Sequence, residues 1–172
     1  MRIDLSLLRP ALAAGLCTAL LAALPAAALA HGAAGHAPKA ATAAPSTESY
    51  PWGREGRAAD VTRTIEVDMK DALRFVPGEL RFRRGETVRL VVHNSGRVMH
   101  ELVLGTEAEL KRHAELMKQH PGMEHDEPYM AHVAPGERAE IVWTFDKPGR
   151  FMYGCLLPGH FEGGMVGRIV VR

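Results

Sequence analysis

The sequence predicts an all-β fold, a sandwich of about eight short strands with one short helical insert. Runs of β-branched and aromatic residues recur from about residue 57 onwards, and Gly, Pro and Asn residues that favour turns separate them. Several runs also alternate apolar and polar residues, so that one face of each predicted strand is apolar. Short strands of this kind are typical of two sheets packed around a common core.

The predicted strands follow one another closely along the chain. Val88, Leu90 and Val92 share one face of their strand, and Phe151 shares a face with Cys155. Cys155 is therefore expected to point into the core. The runs span residues 61–69, 72–76, 80–82, 87–93, 101–104, 140–145, 150–155 and 166–171.

Residues 106–120 break the strand pattern and predict a helix. Thr106 and Glu109 have the spacing of a capping box, and Pro121-Gly122 ends the helical pattern. We expect this helix to lie within an insert of about residues 106–132.

The first thirty residues predict a signal peptide. Arg2 and Arg9 precede an uncharged Ala- and Leu-rich run, residues 11–24, and small residues at 28–30 suit a signal peptidase. The alternative is an uncleaved membrane anchor, because residues 11–30 carry no charge. The Ala content and Pro25 favour cleavage, which predicts a mature chain that begins at His31, is exported to the periplasm and has no stable membrane insertion.

Residues 31–56 are rich in Ala, Gly, Pro and Ser and predict a flexible leader. The globular domain is then expected over residues 57–172. Its charges are balanced: the whole chain has 21 Lys and Arg against 20 Asp and Glu, interspersed along its length. This balance argues against a nucleic-acid partner, because phosphate backbones are bound by clustered positive charge.

Only Cys155 remains after the predicted cleavage, since the other cysteine is Cys17. A single thiol in an oxidising compartment has a partner chain, is buried and inert, or is held as a thiolate by a metal. Its neighbours favour the metal.

Cys155, His160 and Met165 form a Cys-x4-His-x4-Met arrangement in one loop between two predicted strands. Thiolate, imidazole and thioether are the donors that select copper, and a plane of two histidines and one cysteine with a weak axial methionine is an electron-transfer site. The second histidine must come from another strand end, and His100 is the best candidate. The pattern therefore predicts a copper site made by His100, Cys155, His160 and Met165.

Three other interpretations fit the motif less well. A buried thiol beside a core methionine would not explain why three donors lie in one Gly- and Pro-rich loop. Zinc has little use for a thioether. A Cys-His hydrolase would need an orienting residue and an oxyanion hole, for which the sequence offers no recognisable spacing.

The motif Cys155-Leu-Leu-Pro-Gly-His160-Phe-Glu-Gly-Gly-Met165 resembles the cupredoxins, the blue copper proteins of the plastocyanin and azurin kind, and a looser similarity covers residues 57–172. The resemblance implies a Greek-key β-sandwich and supports the same four ligands. The spacing from Cys155 to His160 is more similar to azurin and auracyanin than to plastocyanin. The His- and Met-rich insert makes the chain most similar to single-domain periplasmic cupredoxins associated with copper tolerance.

Two positions depart from the family pattern. Glu101 follows His100 where plastocyanin and azurin commonly have Asn, and we expect its carboxylate to accept a hydrogen bond from the Cys155 loop and to lower the reduction potential. Met99 is a second thioether beside His100; packing against the loop is the favoured role, and copper binding is the alternative.

Further His and Met residues predict auxiliary copper sites. In the insert, such sites compete with an equally plausible arrangement in which Met117 packs the helix on the sandwich and the histidines are solvated. In the leader, the amine and imidazole of His31 suit Cu(II), with His36 nearby. The insert donors are His113, Met117, His120, Met123, His125, Met130 and His132.

These features predict an exported type 1 copper protein that transfers one electron by Cu(II)/Cu(I) cycling. The alternative is a periplasmic copper-tolerance protein that sequesters copper or hands it over. The expected partner is a redox protein or a copper-handling protein, bound transiently through the His160 edge and Leu156, Leu157 and Pro158. No enzyme activity is expected, because the sequence lacks the His-Cys-His run and the Cys-x3-Cys pair of catalytic or dinuclear copper centres.

Overall fold

A computed structural model describes residues 45–121, 123 and 125–172. The predicted signal peptide and most of the predicted leader, including His31 and His36, lie outside the described residues. In chain order the elements are β1 (Ser49–Tyr50), β2 (Gly53–Glu55), a 3-10 helix (Ala58–Asp60), β3 (Arg63–Lys70), β4 (Arg74–Val76), β5 (Glu79–Phe82), β6 (Glu86–Asn94), β7 (His100–Gly105), α1 (Glu107–Gln119), β8 (Met130–Val133), β9 (Arg138–Phe145), β10 (Gly149–Gly154) and β11 (Val166–Val171).

The strands form two sheets, which confirms the predicted all-β sandwich. One sheet has six strands in the order β1-β2-β9-β6-β3-β4, and the other has five in the order β5-β11-β10-β7-β8. The β3–β6 and β5–β11 pairs are parallel, whereas the other strand pairs are antiparallel. The chain crosses repeatedly from one sheet to the other, so residues distant in sequence meet at the ends of the sandwich.

The alternation seen in the sequence places the core side chains. Leu90 of β6 and Trp143 of β9 are fully buried in one sheet, and Tyr153 of β10 and Ile169 of β11 are fully buried in the other. The inward faces of both sheets therefore share one apolar core, which also contains Cys155.

The predicted leader extends too far, because residues 49–55 are part of the sandwich. β1 and β2 form a hairpin whose second strand pairs with β9. Trp52 is only 5% exposed, and its carbonyl accepts a hydrogen bond of 3.0 Å from Nε1 of Trp143. β1 and β2 are too short to show an alternation of apolar and polar residues. The Ser, Pro and Gly residues around them are typical of a flexible segment.

The helical insert is confirmed and its packing is clear. The Thr106–Glu109 capping box is present at the start of α1, and Leu110, Ala114 and Met117 are buried. They pack in a second apolar cluster that also contains Val103, Met130 and Leu156.

The predicted insert also ends too late, since Met130 to His132 belong to strand β8, which pairs with β7. In that pairing His132 lies opposite Glu101. The part of the chain that the structure describes has no helix with the length and apolar character needed to cross a membrane.

Candidate metal centre

Three donor side chains from two regions of the chain meet at one end of the sandwich. Cys155 directly follows β10, His160 lies in the loop between β10 and β11, and His100 is the first residue of β7. Nδ1 of His160 is 3.2 Å from Sγ of Cys155 and 3.3 Å from Nδ1 of His100. Within the described ranges, this is the one group of three or more His, Cys, Asp or Glu donors that gathers within 4.8 Å.

The loop from Cys155 to Met165 is closed by its own backbone. The N–H of Cys155 donates to the carbonyl of Met165 over 3.1 Å, and the N–H of Met165 donates to the carbonyl of His160 over 3.0 Å. Gly164 has a φ of 87°, a left-handed conformation that glycine adopts without steric cost. These bonds fix the two ends of the loop beside the thiol.

Met165 also lies in this part of the molecule. Its side chain is fully buried and belongs to the same core cluster as Cys155. The backbone bonds to Cys155 and His160 hold it next to the three gathered donors.

The Cys155 thiol is fully buried. Burial raises its pKa to about 12, while the N–H of Glu101, 3.5 Å from Sγ, acts in the opposite direction. The thiol is therefore protonated near neutral pH, and it must release that proton when a metal binds.

The imidazole of His160 is only partly exposed. Burial lowers its pKa, and the neighbouring His100 lowers it further. A neutral imidazole retains the lone pair that a metal requires. A buried thiol and two Nδ1 atoms, with a thioether held beside them, are a donor set that fits copper.

Asp71 contacts the second ring nitrogen of His100, and the sequence did not indicate this contact. Its Oδ1 is 3.2 Å from Nε2 of His100, and its carboxylate also accepts the backbone N–H of Arg97 over 2.9 Å. A carboxylate on the second ring nitrogen fixes the tautomer of a metal-binding histidine and increases its basicity. The two residues are 29 positions apart, so only the fold brings them together.

The family model for copper-binding proteins of the plastocyanin/azurin family matches residues 61–172 of the chain. That range contains all four residues proposed as ligands. The chain belongs to this family. The cupredoxin resemblance and the copper cofactor expected from the sequence are thereby confirmed.

Relatives of this cupredoxin include two copper-resistant cuproproteins named CopI. One, from Rubrivivax gelatinosus, is 54% identical over 122 residues, covering 71% of this chain and 74% of the relative. The other, from Pseudomonas aeruginosa, is 33% identical over 150 residues, covering 70% and 82%.

Solved structures of auracyanins are similar in fold. Auracyanin A, a blue copper protein from Chloroflexus aurantiacus, is 27% identical with a TM-score of 0.55, covering 63% of this chain and 98% of its own. Auracyanin B is 24% identical with a TM-score of 0.58, covering 73% and 99%. These matches agree with the predicted cupredoxin sandwich.

Three expectations for the ligand surroundings have different outcomes. Glu101 of the cupredoxin accepts a hydrogen bond of 2.6 Å from the N–H of Leu156 at its Oε1, so the predicted link to the Cys155 loop is confirmed. Met99 is 39% exposed, and its packing against the loop stays a prediction. Leu156 is 1% exposed and cannot belong to the predicted docking face.

The predicted auxiliary donors of the insert separate into three groups. Met117 and Met130 are 3% and 4% exposed and pack in the second apolar cluster, so they are core residues. His120 and Met123 are exposed at the end of α1 and beyond it. The remaining three have neighbouring rings; they are His113, His125 and His132.

Proposed function

We propose that this cupredoxin is a periplasmic type 1 copper protein that transfers one electron at a time. The observation that carries the proposal is the convergence of the buried Cys155 thiol with Nδ1 of His100 and Nδ1 of His160. Met165 would be the axial ligand. Copper supplies reversible Cu(II)/Cu(I) chemistry when bound at such a site.

The protein contributes a rigid setting for that chemistry. His100 is fully buried at the start of β7 and is oriented by Asp71, while the Cys155 loop follows the antiparallel neighbour β10 at the same end of that sheet. Ligands fixed by a sandwich rearrange little between two oxidation states, which favours fast electron transfer.

The partly exposed ring of His160 would be the route for the electron. Val98 and Met99, which precede His100, are 48% and 39% exposed. A small apolar patch of this kind suits a transient complex, so we propose that the partner is a redox protein that binds weakly and dissociates quickly.

A role in copper tolerance is the second candidate. The similarity to copper-resistant cuproproteins of two bacteria favours it. In this role the protein would sequester copper or pass it to a copper-handling partner. For either role, we propose that the protein is exported by the signal peptide of residues 1–30, has no enzyme activity of its own and binds no nucleic acid.

Copper titration of the purified protein tests the proposal. Electron transfer predicts one tightly bound copper per chain, an intense visible thiolate band and a reversible redox couple by voltammetry. Copper tolerance predicts additional bound copper and loss of copper resistance when the gene is deleted. Absence of an intense band would contradict the assignment of Cys155 as a ligand.

A further inference from the structure

Three histidines outside the metal centre form a cluster beside β7. His113 comes from α1, His125 from the segment between α1 and β8, and His132 from β8. The ring centroids of His113 and His125 are 4.7 Å apart, and those of His125 and His132 are 5.9 Å apart. The helix, the segment that follows it and the strand therefore each contribute one imidazole to the cluster.

The hydrogen bond of His125 leaves one nitrogen without a partner. Its Nδ1 is 3.3 Å from the carbonyl oxygen of Met123, and a carbonyl only accepts, so Nδ1 carries the proton. The other nitrogen, Nε2, then has a lone pair. Nε2 is buried and has no hydrogen-bond partner among the described residues. A buried acceptor without a partner is unfavourable, and a bound cation would satisfy it.

The surroundings of His113 favour a neutral ring, which metal binding requires. Burial lowers the pKa of His113, and the neighbouring His125 and His132 lower it further, whereas Glu101 acts in the opposite direction. A neutral imidazole keeps a lone pair on one nitrogen, so His113 is suited to bind a metal near neutral pH.

Glu101 lies at the edge of the cluster and touches both sites. Its buried Oε2 is 2.9 Å from Nε2 of His132. At this distance the ring N–H of His132 faces the Glu101 carboxylate, and a bound cation would replace that proton. Its Oε1 and its backbone N–H contact Leu156 and the Cys155 thiol.

We propose that His113, His125 and His132, with the Glu101 carboxylate beside them, form a second metal site, which takes a borderline divalent cation, Cu(II) foremost. Imidazole and carboxylate donors bind such cations, and Cu(II) binds most tightly in the first-row series. The donor atoms lie farther apart than those of the first centre, so binding requires rotation of at least one ring. The inference rests on the proposed copper function but not on electron transfer.

Glu101 would couple the two sites. A cation at the histidine cluster would interact with the carboxylate of Glu101, which also accepts the hydrogen bond from the Cys155 loop. Filling the second site is therefore expected to shift the thiolate band of the first, although the cation has no contact with the sulfur.

The test is Cu(II) titration of the full chain, followed by metal analysis, electron paramagnetic resonance and visible absorption. The native protein is expected to bind a second Cu(II) that adds a resonance signal without adding a thiolate band. H125Q is expected to weaken this second binding at least about tenfold and to leave the first site intact. H93Q, which alters a partly exposed histidine on β6, is the matched control and is expected to bind as the native protein does.

C155S distinguishes failure of this proposal from failure of the proposed function. It should lose the thiolate band and still bind the second Cu(II). Unchanged binding of the second Cu(II) by both H125Q and H113Q, or a native protein that binds a single copper, would overturn the second site. A native protein without a thiolate band that still loses one copper in H125Q would overturn only the first assignment.

Discussion

Oε1 of Glu101 accepts a hydrogen bond of 2.6 Å from the backbone N–H of Leu156, the residue that follows Cys155. Both residues are 1% exposed. The bond joins the start of β7, where His100 lies, to the start of the Cys155 loop. It therefore fixes the spacing between two parts of the metal centre that come from different segments of the chain.

Replacing Glu101 by alanine is expected to destabilise the copper-free protein by about 1–3 kcal/mol, because the buried N–H of Leu156 loses its acceptor. E101Q keeps an acceptor oxygen and should lose less. The measurement is the free energy of unfolding from urea denaturation. The control is E140A, which removes an exposed ion pair with Arg89 and should cost under about 1 kcal/mol. Equal losses for E101A and E140A would contradict this role.

Asp71 is expected to tune the copper site through His100. D71N removes the negative charge beside Nε2 of His100, so the histidine becomes a weaker donor to Cu(II). The reduction potential should rise, and affinity for Cu(II) should fall by about 10- to 100-fold, while the visible band persists. Voltammetry and competition titration check both changes. D60N, which removes a carboxylate paired with Arg57 on the surface, should leave the potential unchanged.

The two sulfur residues proposed as ligands, Cys155 and Met165, are expected to behave differently when they are replaced. C155S should abolish the intense visible band, because that band requires a thiolate on copper. M165L should keep a band and shift the potential, since a thioether bound at such a site is a weak ligand that tunes the potential. Visible absorption and voltammetry of the loaded variants measure both effects. A band that survives in C155S would exclude Cys155 as a ligand.

The apolar residues before His100 are expected to control encounters between molecules. V98D places a charge on this patch, so two copies would repel each other when they approach. The electron self-exchange rate, measured by NMR line broadening on mixed oxidation states, should fall by about tenfold or more and recover partly at high salt. V76D, at a similarly exposed valine on β4, is the control. An unchanged rate in V98D would place electron exchange on another face.

The candidate metal donors could be found from the sequence because most of the motif is local. Cys155, His160 and Met165 lie in one short loop, and His100 stands at a strand end where the sandwich requires the missing donor. Asp71 could not be found in this way, since no spacing links it to His100. Its contact arises from the pairing of β3 with β6, which brings the ends of distant segments together.

Two methionines of the insert, Met117 and Met130, could not be assigned from the sequence. Their density suggested metal binding, yet Met117 lies on the buried face of α1 and Met130 on the buried face of β8. Thioethers fill apolar gaps as readily as they bind copper, and composition alone cannot distinguish the two uses. The histidines of the same segment stay outside the apolar cluster, so they retain a case for metal binding that Met117 and Met130 do not.

The hairpin of β1 and β2 lies before residue 57, where the sequence predicts the start of the domain. Its packing leads to a last prediction. Trp52 packs against Tyr50, Tyr129 and Trp143, with ring centroids of Tyr50 and Tyr129 at 5.1 and 5.5 Å from its own. W52A is therefore expected to destabilise the protein by about 3–5 kcal/mol, as truncation of a buried aromatic residue does. Urea denaturation measures this loss.

The matched control for W52A is L116A, which shortens a side chain that is 42% exposed on α1 and should change stability little. If W52A lowers the free energy of unfolding by less than about 1 kcal/mol, the hairpin contributes little to the stability of the sandwich. The larger loss would mean that residues 49–55 complete the core, because β2 covers the edge of β9 and Trp52 closes the apolar interior beside Trp143.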